Sequence, residues 1–224
     1  MPNDVMADPS QIVAELQRKL DERTAERDAL GRELIEAGRR QSATAEVLQV
    51  INSSPGDLAP VFQAIVAKAH TLCGAAYGSL QLWDGEKFRG VAMRGFSQGM
   101  VERLRLGYSP WPNMPCRRLV EGESVAHCAD LAEVDDPTAR RGVALGGIRT
   151  ILYVALRKDD LLLGQIVAAR QEVRPFSEKE ILLVEGFATQ AVIAMENARL
   201  IDEIRSARDS AEATLRELKT PRPT

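Results

Sequence analysis

Three cysteines and two histidines hold most of the reactive chemistry this sequence can offer. They fall as His70-x-x-Cys73, His127-Cys128 and a separate Cys116. A zinc site needs three or four such side chains converging on one tetrahedron. The spacing here works against it. His70 and Cys73 lie in a stretch of helical apolar periodicity, while His127 and Cys128 are neighbours on a predicted strand and point to opposite faces. No metal site is expected, and Cys73 and Cys128 read as small apolar fillers. An odd cysteine count behind a polar, acidic N-terminus also argues against a disulfide framework.

A second group is polar and aromatic. On a predicted first strand, Tyr77, Ser79, Gln81 and Trp83 share one face, and Leu80 and Leu82 share the other. Ser79, Gln81 and Trp83 are the leading candidates for ligand contact. Arg94 on the next strand, Trp111 in a proline-rich loop and Tyr153 join them. Ligand pockets combine aromatic walls with a few polar groups. The same rings can also pack under loops with no ligand at all. Arg117, Arg118, Arg140 and Arg141 read as solvated.

These side chains need a scaffold, and the chain shows three kinds of segment. From Val13 to Ile51 a strict alternating three–four spacing marks a heptad seam, interrupted at Arg23 and Arg27. Residues 11–40 hold seven acidic and seven basic residues, a balance that allows pairs such as Glu15–Lys19, Asp28–Arg32 and Glu36–Arg40. Asp8, Pro9 and Ser10 supply a helix start. Such a narrow stripe calls for a partner helix.

The middle segment begins with helical periodicity over Leu58–Cys73, ended by Gly74. Two strands follow, joined at Asp84-Gly85. Residues 97–121 read as irregular, closing in a short helical piece at CRRLVEG. SVAHCAD reads as a strand, Asp135–Gly147 as a loop with a helix in it, and 149–172 as a second hairpin turning at Lys158-Asp159-Asp160. The third segment opens with the capping box Ser177-Glu178-Lys179-Glu180 and continues as helix toward Lys219. Its apolar face is wide at first and narrows beyond residue 200. Strands flanked by helices at both ends give an α+β fold, an antiparallel sheet with helices on one face.

Composition sets outer bounds. A net charge of −3 does not suit a sequence-independent grip on nucleic acid. No long uncharged apolar run suggests membrane insertion, and the N-terminus does not resemble a secretory signal. The expectation is a cytoplasmic chain.

Residues 44–203 resemble a GAF domain of bacterial sensor histidine kinases. The pieces that carry the likeness are TAEVLQVINSSPGDLAPVFQAIVAKAHTLCGA, YGSLQLWDGEKFRGVAMRG, VEGESVAHCAD and the run from GIRTILYVAL to NARLIDEI. RPFSEKEILLVEGFATQAVIAMENARL is the most specific of them. The resemblance implies a central antiparallel sheet, terminal helices on one face, and loops and short helices roofing a small-molecule pocket on the other. It also implies homodimers held by helices that continue into signalling coiled coils, with a histidine kinase or other output as partner. The expected organisation is a disordered N-terminus (1–10), a coiled-coil helix (11–43), the GAF domain (44–200), a signalling helix (201–220) and a tail (221–224).

Neither His70 nor His127 stands in a phosphoacceptor context, and no ATP-binding domain is present, so the chain is not expected to be an enzyme. No haem, linear-tetrapyrrole or cyclic-nucleotide signature is found, which leaves the cofactor unknown. Free-standing relatives that reduce methionine sulfoxide use a set of cysteines. Cys116 falls near one of these and the others do not match. The sequence therefore points to a two-component-type sensory module with a small ligand under the sheet. The alternatives are a ligand-free dimerisation module and, further off, a sulfoxide reductase.

Overall fold

The computed structural model describes residues 9–54 and 56–219. It forms two compact units, divided between Ala43 and Thr44. The first unit is the N-terminal part of helix α1 (Pro9–Ser53). Seam residues Val13, Leu16, Leu20, Leu30 and Leu34 are all exposed. Lys19 pairs with Glu15 at 2.7 Å, as the spacing predicts. Asp28 is instead bonded by its neighbour Arg27 at 2.8 Å, which is closer in sequence than Arg32. The Glu36–Arg40 pair, Asp8 and the tail 221–224 lie outside the described residues.

The second unit contains the end of α1 and then α2 (Leu58–Leu72), β1 (Tyr77–Trp83), β2 (Phe88–Arg94), α3 (Gln98–Leu106), α4 (Arg117–Val120), β3 (Val125–Cys128), α5 (Pro137–Gly146), β4 (Thr150–Lys158), β5 (Leu161–Arg170) and α6 (Glu178–Lys219). The five strands form one antiparallel sheet in the order β2-β1-β5-β4-β3. Two hairpins supply four strands. In the first, the Asp84 carboxylate accepts from the backbone N–H groups of Glu86 and Lys87, and Gly85 takes a positive φ of 96°. The second turns through Asp159. Pairing of β1 with β5 joins the hairpins, with Tyr77 opposite Ala169 and Leu82 opposite Gly164.

Strands buried on both faces need a cover on each side. Helices α2 and α6 cover one face, where Leu80, Leu152, Val154 and Ile166 meet Ile65, Phe187 and Ala191. The other face is covered by α3, α4, α5 and their loops over Phe88, Met114, Leu119, Ile151, Tyr153 and Val167. Helix α3 corrects the expectation of irregular chain over 97–121. Met100, Val101 and Leu104 give it a short apolar stripe that lies against β2.

The start of α6 is pinned twice. Ser177 N–H donates to Glu180 Oε2 at 2.8 Å and Glu180 N–H returns to the Ser177 hydroxyl at 3.4 Å, the capping box read from the sequence. Arg170, only 1% exposed, ties this helix start to the sheet and to α2. Its guanidinium donates to the carbonyls of Cys73 (2.6 Å), Arg174 (2.8 Å) and Pro175 (3.0 Å) and to Glu180 Oε1. It also lies 3.9 Å from the centre of the Phe176 ring. Within Glu178–Glu212, α6 is by length and composition alone long and apolar enough to cross a membrane. Its apolar face packs on β4 and α2, as core helices of folded domains do.

Candidate functional site

Between the sheet and its roof of α3 and α5 lies a cavity of about 210 Å³. Alternation along the strands decides what forms its floor. Ser79 and Gln81 from β1, Ile151 and Tyr153 from β4, and Val167 and Ala169 from β5 all face it. Met100, Arg103 and Leu104 come from α3, and Thr138, Arg141 and Leu145 from α5.

The roof is anchored by local bonds. Asp136, itself buried, caps α5 by accepting from the N–H groups of Thr138 (2.7 Å) and Ala139 (3.1 Å). At the far end of α5, Tyr77 OH donates to the Gly146 carbonyl at 2.6 Å, and Gln171 donates to both (2.8 and 3.0 Å). The Tyr77 ring stacks on Phe96, another lining residue, at 4.8 Å. Helix α3 ends at Gly107 with φ 84°. The chain then pairs with β2 through reciprocal bonds between Phe88 and Tyr108 (3.0 and 3.1 Å), which swings the Tyr108 ring over the sheet.

A buried polar chain runs across this floor. Gln81 Nε2 donates to the Ser79 hydroxyl oxygen at 2.9 Å. Tyr108 OH donates to Gln81 Oε1 at 3.0 Å, and Gln165 Nε2 bridges Gln81 Oε1 (2.8 Å) and Tyr108 OH (2.9 Å). Gln165 Oε1 is buried with no hydrogen-bond partner among the described residues. Tyr153 is 2% exposed, and its hydroxyl makes no hydrogen bond among the described residues. Burial pushes the Tyr108 and Tyr153 phenols well above their ordinary range, so both remain neutral donors.

Of the six side chains singled out in the sequence, Ser79, Gln81 and Tyr153 line the cavity. Trp83 packs on Phe88 at 4.6 Å and Trp111 is 60% exposed; neither is among the lining residues. Arg94 is exposed and stands opposite Gly78 in the β1–β2 register, so it shares the face of Gly78 toward α2, not that of Ser79. Arg117, Arg118 and Arg140 pair with Glu121, Glu123 and Asp135 at the surface. Arg141 differs from them in lining the cavity. Sequence reasoning missed Arg103, Tyr108 and Gln165. Gln165 alone left a trace, as a polar residue inside the apolar run LLLGQIVAA.

Burial pushes Cys73 and Cys116 up to about 12, and it also raises Cys128. A thiolate nucleophile needs the opposite environment. His70 Nε2 lies 3.2 Å from the Ala76 carbonyl. His127 Nε2 accepts the Phe176 N–H at 3.1 Å on the α6 side of the sheet, whereas Cys128 packs with the cluster under the roof. No group of three potential metal ligands occurs among the described residues.

A family model described as the GAF domain matches residues 57–195. Solved structures share the fold. A phycoerythrobilin-bound GAF domain from a cyanobacterial phytochrome is 18% identical, covering 73% of this chain and 97% of its own, with a TM-score of 0.61. A domain assigned to a two-component sensor histidine kinase protein of Sinorhizobium meliloti 1021 is 20% identical over 65% of this chain and 94% of its own, with a TM-score of 0.55. The GAF domain of a phosphoenolpyruvate-protein phosphotransferase from Coxiella burnetii is 20% identical over 77% and 98%, with a TM-score of 0.56.

Proposed function

Since this chain belongs to the GAF domain family, we propose that it is a bacterial, cytoplasmic sensory module of two-component type. It binds a small molecule in the cavity and pairs with a second copy through its terminal helices. The observation that carries this reading is the cavity itself. An apolar chamber of about 210 Å³ with a buried, partly unsatisfied polar floor is a costly feature in a domain whose only task is to hold two helices together.

In this reading the sheet is the transmitter. Its floor residues alternate along β1, β4 and β5 with residues that carry α2 and α6, so a ligand that shifts those strands shifts the seating of α6. The output is a histidine kinase or another signalling partner whose activity follows the pairing of the helices. In this reading the chain is not an enzyme, and it neither binds nucleic acid nor inserts in a membrane; burial of Cys73 and Cys116 weighs against thiolate chemistry only. The alternative, a ligand-free dimerisation module, would use the same exposed residues, Leu200 and Ile204 on α6 and the α1 seam.

Native mass spectrometry of the purified chain separates the two. A dimer carrying a small molecule that raises its thermal midpoint supports the sensor. A dimer with no retained or added ligand supports the spacer, and a monomer at all concentrations overturns both.

A further inference from the structure

We propose that the cavity takes a single-ring organic carboxylate, its ring among the apolar roof residues and its acid group at Arg103 and Arg141. The proposal rests on the ligand-binding reading above and adds the chemical class.

Charge comes first. Each roof helix contributes one arginine, Arg103 from α3 and Arg141 from α5. Both are exposed residues that line the cavity, so their charges stand where the chamber meets water. Neither guanidinium has an ion-pair or hydrogen-bond partner among the described residues. Their neighbours Arg89, Arg117, Arg118 and Arg140 are all bonded to carboxylates. Among the described residues no aspartate or glutamate lines the cavity. Two uncompensated cations at the edge of an apolar chamber select an anion, and a planar carboxylate is what a guanidinium holds best.

Size comes second. An apolar cavity of about 150 Å³ accepts benzene, and one water takes about 30 Å³. The cavity here, about 210 Å³, therefore has room for a six-membered ring and a small substituent. Met100, Leu104, Leu145 and Ile148 give the ring an apolar bed, and Phe96 gives it an aromatic edge.

The floor supplies the third feature. Tyr153 is almost wholly buried, lines the chamber and has an unpartnered hydroxyl. Ser79 already accepts from Gln81, which leaves its own hydroxyl proton to donate. Both suit a hydroxyl or carbonyl on the ring, away from the acid.

The test uses the full chain and three probes of one shape, measured by calorimetry at low salt: 4-hydroxybenzoate, the neutral 4-hydroxybenzamide and the cationic 4-hydroxybenzylamine. The acid is expected to bind roughly tenfold more tightly than the amide, as one charge-assisted contact implies, and this margin is expected to shrink as salt is added. R103Q/R141Q is expected to bring the acid down to the affinity of the amide. Both side chains are exposed and unpaired, so the fold is retained, which circular dichroism checks. Y153F is expected to weaken acid and amide alike. An amide or amine that binds as well as the acid overturns the anion assignment and leaves the cavity a ligand site. A double variant that keeps the preference for the acid overturns it in the same way. If none of the three binds, the single-ring class is overturned, and retention of a native molecule in the mass spectrometer still decides the sensor reading separately.

Discussion

At the scale of single residues, the side chain with most at stake is Arg170. A guanidinium 1% exposed is tolerable only because three carbonyls and Glu180 surround it. Arg170→Met removes the cation and leaves Glu180 half-shielded without its partner. The expected loss is about 3 kcal/mol, read from urea unfolding. Adding Glu180→Gln to that variant is expected to restore part of it, since the orphaned charge is then gone. His127 offers a pH signature in the same neighbourhood. Its Nε2 accepts the Phe176 N–H, so the fold wants the ring neutral. Burial lowers its pKa below 6.5, the Arg170 charge lowers it further, and the Glu180 carboxylate opposes both. A base with a depressed folded pKa stabilises the fold above its unfolded pKa and loses that contribution as pH falls through the folded value. The urea midpoint is therefore expected to fall as the pH is lowered through 6.5 and below, and less so in His127→Gln, which keeps an acceptor but cannot titrate. Glu180 does not blur this window. Burial pushes its carboxyl up, but bonds from Ser177 and the charge of Arg170 bring it below 4.5 on balance.

At the scale of elements, the joint between the two hairpins is the weak place to add volume. A Cβ on Gly164 would collide with the Gln81 carbonyl of β1. Gly164→Ala is expected to destabilise by about 2 kcal/mol, as overpacking of a strand contact does, and to loosen amide protection in β1 and β5 together. The same strands explain what was legible from sequence. Asp84-Gly85, the Ser177–Glu180 box and the helical stretch Leu58–Cys73 are local signals, each complete within a few residues, and the structure has them all. Helix α3 was hidden because its apolar stripe is short and three prolines follow within ten residues of its end. The cavity floor was half legible. Strand alternation placed Ser79 and Gln81, but Arg94 needed the register, which a bulge at Leu80/Gln81 shifts. Tyr108 and Arg103 depend on where a loop and a short helix fold back, and no spacing rule encodes that. Trp111 stands out by residue type alone, and type does not report which way a proline-rich loop turns.

At the scale of the whole molecule, the matter is what covers the helix faces that one copy leaves bare. On α6, Leu182, Ile193, Leu200 and Ile204 are exposed, and Ile204 is 68% so. Leu200 and Ile204 are one turn apart, and acids and arginines surround them in i,i+3 pairs such as Arg205–Asp202 and i,i+4 pairs such as Arg199–Glu203. An apolar pair framed by charges is how a helix seam presents itself to a partner. If the proposed homodimer uses this seam, each substitution counts twice across a twofold axis. L200K/I204K is then expected to weaken dimerisation by about a hundredfold or more, from lost apolar burial alone and before any repulsion between the new lysines. Both positions are exposed in the single copy, so the circular dichroism spectrum and the urea midpoint of the monomer should be unaffected. Sedimentation across a range of concentrations reads the outcome. A shift toward the single-copy mass places the pairing surface on the distal half of α6, where a displacement of the sheet can reach it. An unchanged dimer moves the interface elsewhere and removes the route by which a ligand under the roof would be felt by a second copy.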